Sequence, residues 1–82
     1  MLAHEVKARI EDHLVPTSCQ VHEFSGGTDH YRVVVVSPAF EGRSLLTRHR
    51  LVMDLFQEEI RQGIIHALSL ETLTPPEWEQ KK

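Results

Sequence analysis

Apolar residues recur at every fourth position at the start of the chain. Leu2, Val6, Ile10 and Leu14 are separated by Glu5, Lys7, Arg9, Glu11 and Asp12, which puts one narrow apolar stripe on a first helix. Pro16 ends it, because proline cannot continue the helical hydrogen bonding. The period then shortens to two. Cys19, Val21 and Glu23 alternate with Gln20, His22 and Phe24 and predict a short strand with Cys19 on the core face. Ser25-Gly26-Gly27-Thr28-Asp29 has the chemistry of a turn. Tyr31 to Val36, with four consecutive β-branched valines, predicts a second strand, so the two strands and the turn form a hairpin.

Ser37-Pro38 breaks the second strand, and Phe40-Glu41-Gly42-Arg43 is a connector leading to Ser44, a suitable helix N-cap. A helical region follows from Leu45 to about Gln62, either as one helix or as two meeting near Arg50. Val52, Phe56 and Ile60 form its apolar stripe with Leu51 and Leu55, while Gln57, Glu58, Glu59 and Arg61 take the wet side. Gly63 fits the C-terminal cap. Ile64 to Leu73 returns to period two, with Ile64, His66, Leu68 and Leu70 on one side and Ile65, Ala67, Ser69 and Glu71 on the other. Thr74-Pro75-Pro76-Glu77 has capping-box spacing with proline at the first helical position, which puts Trp78 on a short terminal helix. The element order αββααβα, closed by a right-handed helical crossover, predicts an α/β fold of the α+β type. Its three-stranded mixed sheet carries helices packed on one face, as a single domain over residues 1–82.

Composition narrows the function classes. The 82 residues include one cysteine and six histidines and carry a net charge of -3. A lone cysteine forms no internal disulfide and suits a reducing, cytoplasmic setting. No apolar run approaches the ~20 residues of a membrane span, and the charged start of the chain is unlike a secretory or transit leader. The acidic balance argues against a protein built mainly to neutralise nucleic-acid phosphates. So short a chain leaves little room for an internal catalytic pocket. It also has no phosphate-loop, nucleophile-elbow or His-Glu-x-x-His motif, so a non-enzymatic role is expected.

Three constellations remain. The stretch from Arg43 to Arg50, with Arg48, His49 and Arg50, would resemble a helix-turn-helix if it formed two short helices, and its arginines would then meet phosphates or guanine edges. Its plainer reading is a solvated helix face balancing Glu58 and Glu59. His66, flanked by Ile64, Ile65, Ala67 and Leu68, reads either as a hydrogen-bonded, half-buried residue or as a ligand projecting past the sheet edge. His22 and His30 bracket the Gly26-Gly27 turn, where two imidazoles would suit zinc, iron or copper, though without a specific spacing. Cys19 alternates with Val21 on the core face and reads as buried and inert. The alternative, a small hydrolase using its thiol, lacks any orienting group. His4 and His13 read as surface residues of the first helix.

Taken together, Tyr31-Arg32-Val33-Val34-Val35-Val36-Ser37, Phe40-Glu41-Gly42-Arg43-Ser44, Arg48-His49-Arg50-Leu51-Val52, Ile65-His66-Ala67-Leu68-Ser69-Leu70 and Thr74-Pro75-Pro76-Glu77-Trp78 resemble, in order and spacing, the BolA-like family. The resemblance implies a fold similar to class II KH domains. It also implies pairing with monothiol glutaredoxins of the Cys-Gly-Phe-Ser type, with a bridging 2Fe-2S cluster shared between them and glutathione. The family's invariant histidine ligand falls on His66. The second ligand comes from the hairpin loop as Cys or His, which makes this chain a His-type member with His22 favoured over His30. A glutaredoxin thiolate and a glutathione thiolate would leave two imidazoles to complete the second iron, as in a Rieske centre. Imidazole binds metal only when neutral, so acid would compete with the cluster. In this setting Arg43, Arg48 and Arg50 become docking charges for the partner. The family is also linked to transcription control, so a DNA-binding regulator using Arg43 to Arg50 is the alternative expectation. Alone, the chain is expected to be a monomer or a weak homodimer.

Overall fold

The computed structural model describes residues 1–23 and 30–81. Phe24, the turn expected over Ser25-Gly26-Gly27-Thr28-Asp29, and Lys82 lie outside the described residues. The elements are α1 (Ala3–Leu14), β1 (Ser18–Glu23), β2 (His30–Val36), α2 (Leu45–Met53), α3 (Gln57–Arg61), β3 (Ala67–Leu73) and α4 (Pro75–Lys81), with tight 3-10 turns at Pro38–Phe40 and Asp54–Phe56. The strands form one mixed sheet in the order β1-β2-β3. β1 runs antiparallel to β2, and β2 runs parallel to β3 with His30 opposite Ala67 and Val36 opposite Leu73.

Alternation along β2 sorts the sheet into two faces. Tyr31, Val33 and Val35 point inward and are fully buried with Val6 and Ile10 of α1, Val52 of α2, and Phe56. Cys19, opposite Val35 in the register, joins them. The other face shows Gln20, His22, Arg32, Ala67 and Ser69 to solvent. Lys81 of α4 reaches back to pair with Glu71 on this outer face.

Local signals explain the element boundaries. The Glu5 carboxylate accepts from the Leu2 N–H at 2.7 Å to start α1, and left-handed Val15 (φ 44°) ends it just before Pro16. Ser37 caps the turn after β2, accepting from the Ala39 N–H at 3.1 Å, and donates its hydroxyl to the Leu14 carbonyl at 2.9 Å. Ser44 caps α2, its Oγ accepting from the Thr47 N–H at 3.2 Å.

The helical region is broken, and the break falls beyond Arg50. The Asp54 N–H is shared between the carbonyls of Arg50 and Val52, and Phe56 leaves helical geometry at φ -123°. Val52 and Phe56 both remain in the core across this break. The third strand starts at Ala67, three residues later than its periodicity suggests. Gly63, at φ 78°, caps α3, and the Ile64 and Ile65 N–H groups both donate to the Glu59 carbonyl, at 2.9 and 3.1 Å. Residues 64–66 are therefore a turn, in which Ile65 is buried and Ile64 exposed, and the expected alternation is reversed there.

Arg48 departs most from its expected role as a docking or DNA-contacting charge. Its side chain is only 9% exposed. Its Nε donates to the Arg43 carbonyl at 3.0 Å and its Nη1 to the Thr72 carbonyl at 3.3 Å. The two Nη groups grip the Glu77 carboxylate at 2.7 and 3.3 Å. Glu77 also accepts from the Thr74 N–H at 2.8 Å, and its own N–H donates to Thr74 Oγ1 at 3.3 Å, which completes the expected capping box. Bidentate pairing with bonds to backbone carbonyls commits four of the five N–H donors of Arg48 inside the fold, so this arginine acts first as a structural clasp.

Two outcomes follow from this clasp. Arg48→Ala leaves the Arg43 and Thr72 carbonyls without their donor and should lower unfolding free energy by about 2 kcal/mol, read by urea titration. The Arg48 guanidinium, helped by the Thr74 N–H, holds the Glu77 carboxyl down at about 2, against an ordinary 4.5. A depressed carboxyl stabilises the fold fully above its unfolded value, so this contribution is complete above pH 4.5 and is lost as pH falls towards 2. Glu77→Gln should flatten the fall in stability across that window, and an unchanged acid slope would count against the clasp.

Candidate functional site

The chemistry-bearing side chains gather at the sheet end where β2 and β3 begin. His30 is the first residue of β2, and His66 immediately precedes β3. Because the register sets His30 beside Ala67, the two imidazoles meet across adjacent strands. Their ring centroids are 5.8 Å apart, with the planes tilted by 46°. His66 is exposed and His30 half-buried. Each is flanked by an anchor, since Tyr31 and Ile65 are buried in the core. Tyr31 also donates its hydroxyl to the Met1 carbonyl.

His22 lies elsewhere. It sits on β1, opposite Arg32, which in turn faces Ser69 on β3. Two strand spacings across the sheet and three residues along it put the His22 backbone roughly 14 Å from His66, whereas His30 is on the neighbouring strand and one register step away. Of the two hairpin histidines, the structure brings His30 to His66 and leaves His22 exposed on the outer face. The family resemblance favours His22 as the loop ligand by its place in the hairpin. Pairing between strands sets the actual distance.

Two imidazoles bound to one tetrahedral metal through bonds of about 2.1 Å have ring centres roughly 5 Å apart, and the separation here is 5.8 Å. Imidazole donors suit iron, zinc and copper. Among the described residues no group of three or more His, Cys, Asp or Glu side chains is placed to hold a metal ion.

The remaining candidates fall away from this rim. Cys19 registers with Val35, and Val35 with Thr72, near the opposite end of the sheet. Burial pushes its thiol up to about 11, which keeps it protonated and a poor nucleophile. His4 and His13 are exposed on α1, where His13 Nδ1 lies 2.9 Å from the Arg9 carbonyl. Arg43 and Arg50 are exposed and His49 is half-buried, and the Arg43 Nε donates to the Ala39 carbonyl at 2.9 Å. Arg48, in the middle of this stretch, touches Thr72, six residues of strand or about 20 Å from His66. The Arg48 guanidinium and the imidazole pair thus lie at different ends of β3. Among the described residues no helix is long and apolar enough to cross a membrane.

Comparison with known proteins gives a consistent answer. A family model described as BolA-like protein matches residues 3–77. BolA-like protein 1 of Mus musculus is 39% identical over 82 residues, covering 92% of this chain and 59% of its own length. Protein BOLA2 of Arabidopsis thaliana is 41% identical over 76 residues, covering 90% of this chain and 80% of its own. The chain therefore spans less than two thirds of the mouse relative and most of the plant one. A crystal structure of a bol-like protein from Babesia bovis superposes with a TM-score of 0.87 at 38% identity, covering 99% of this chain and 93% of that one. With its fold, its sequence and nearly all of its described length matched in this way, the chain belongs to the BolA-like family.

Proposed function

We propose that this protein is a non-enzymatic iron-sulfur partner that binds a monothiol glutaredoxin and, with glutathione, shares a 2Fe-2S cluster for assembly, transfer or iron sensing. The observation that carries the reading is the pair of imidazoles, His30 and His66, 5.8 Å apart at the open end of β2 and β3. Membership of the BolA-like family supports it, since the resemblance implies a histidine ligand at position 66 and a second ligand from the hairpin.

Two imidazoles supply half of the four ligands that a 2Fe-2S cluster requires, and thiolates of glutaredoxin and glutathione supply the rest. His66 and His30 would hold one iron, while the cluster, when bound, supplies one-electron chemistry and transferable iron and sulfide. The chain's own contribution is placement. Tyr31 and Ile65, each buried beside one ligand, anchor the start of β2 and the turn that leads into β3, so the partner would meet a formed edge. Such preorganisation lowers the ordering cost of association.

Co-reconstitution with a Cys-Gly-Phe-Ser glutaredoxin, glutathione, iron and sulfide should give visible circular dichroism and electron paramagnetic resonance spectra distinct from those of the glutaredoxin alone. His66→Ala should abolish the distinction, His30→Ala should shift the spectra, and His22→Ala should leave them as wild type. The reading fails if the His66→Ala spectra match the wild type. An effect of His22→Ala with none of His30→Ala would reassign the second ligand.

A further inference from the structure

The start of α2 carries a surface that the imidazole rim does not use. Leu45 and Leu46 are 64% and 61% exposed, although a surface helix ordinarily turns its leucines to the core. The other exposed large apolar side chains among the described residues, Leu2, Val15 and Ile64, are scattered along the chain. Scattered apolar residues are ordinary at a surface, whereas adjoining ones mark a contact. At roughly 100° per residue, Leu45, His49, Met53, Leu46 and Arg50 fall within one arc of α2, and the buried Arg48 and Val52 fall outside it. Arg50 is exposed like the two leucines, with His49 and Met53 half-buried between them.

The strip is also basic. No acidic residue occurs between Gly42 and Met53, in a chain whose net charge is -3. Arg9, Arg32, Arg48 and Arg61 each pair with a glutamate, and the Arg43 Nε donates to the Ala39 carbonyl. The Arg50 guanidinium makes no hydrogen bond or ion pair among the described residues. Carboxylates nearby are already engaged, since Asp54 accepts from the Gln57 amide at 2.9 Å and Glu77 closes the Arg48 clasp. What complements such a strip is an apolar surface with carboxylates beside it.

Two other occupants fit less well. A DNA-reading helix contacts base edges with residues of its N-terminal turn, and here those are Leu45 and Leu46, which offer no side-chain donor or acceptor. A second copy related by a two-fold axis through this face would bring two acid-free, arginine-bearing strips together, like charge against like. We propose that the outer side of α2 is a docking surface for a protein segment that is apolar at its centre and acidic at its edge. Leu45 and Leu46 make the apolar contact, and Arg50 receives a carboxylate. Arg48, on the same helix, touches Thr72 near the far end of β3 from His66, so this surface needs no cluster and does not depend on His66 being a ligand.

The test probe is a synthetic helical peptide with leucines spaced i, i+3 and i+7 and glutamates beside them, titrated into the full ¹⁵N-labelled chain. A control peptide carries lysine in place of each glutamate. Amide shifts should cluster at residues 45–53 and leave Ala67 unmoved. Replacing both leucines, Leu45→Ser with Leu46→Ser, should weaken binding about tenfold, as loss of anchors at the centre of an interface does. Arg50→Glu should weaken it as well and keeps the comparison decisive should the double variant not fold. The proposal is overturned if the glutamate peptide at ~1 mM moves nothing in 45–53, if the lysine peptide binds as tightly, or if the variants bind like wild type. Larger shifts there with duplex DNA would assign the strip to nucleic acid, and shifts that grow with chain concentration alone would assign it to a second copy; either result also overturns it. Failure of cluster sharing would appear in the His66→Ala spectra, which this titration does not involve.

Discussion

The parallel pairing of β2 with β3 is the constraint on which the rest of the molecule depends. Parallel neighbours need a long crossover, and residues 37–66 supply it. Both ends of that crossover are tied to the sheet, because the Ser37 N–H donates to the Leu73 carbonyl at 2.9 Å while Ala67 enters in register with His30. Once the register is set, inward positions of β2 must be apolar and outward positions free to be polar. The same register fixes what stands at the strand starts. His30 and His66 meet there because one opens β2 and the other leads into β3. A slip of one residue would separate them and turn the valine face outward.

Two arginines hold the crossover and the terminal helices in place. Arg48 joins α2 to the end of β3 and to α4. Arg9 joins α1 to α3 through Glu59 and the Leu55 carbonyl. Exposed ion pairs contribute little to stability, but these bind backbone carbonyls as well as carboxylates, so each fixes the direction of an element. Their effect appears in the carboxylates, with both Glu59 and Glu77 held below the ordinary range by the guanidinium each one accepts from. Charges used in this way are lost to recognition. The stretch from Arg43 to Arg50 keeps Arg43 and Arg50 at the surface but not its central arginine.

The two ends of the sheet therefore do different work. The end with Cys19, Thr72 and the Arg48 clasp is closed by internal hydrogen bonds and apolar contact. The other end shows His66 to solvent above a buried Ile65. Soft and basic donors are present at both, yet burial keeps the Cys19 thiol protonated at one, whereas at the other His66 is exposed and His30 half-buried. Position in the sheet separates reactive-looking residues from usable ones.

Much of this was legible along the chain. The stripe of Val6 and Ile10, the valines of β2, the caps at Ser44 and Gly63 and the capping box of Thr74 and Glu77 are local signals, and local hydrogen bonding and periodicity suffice to place them. His66 stood out once the motifs were taken together. The partner of Arg48 was not legible, because Glu77 lies 29 residues away and the two meet only once α2 packs on β3, the strand that leads into α4. The choice between His22 and His30 was equally hidden. Both flank the same turn in sequence, but β2 lies between β1 and β3, and the spacing of strands puts one imidazole beside His66 and the other across the sheet. Sequence by itself determined the elements, the buried face and the candidate chemistry, since these follow from neighbours a few residues apart. Tertiary structure alone decided which charges are spent inside and which rings meet, since those distances arise only when separate elements are brought together.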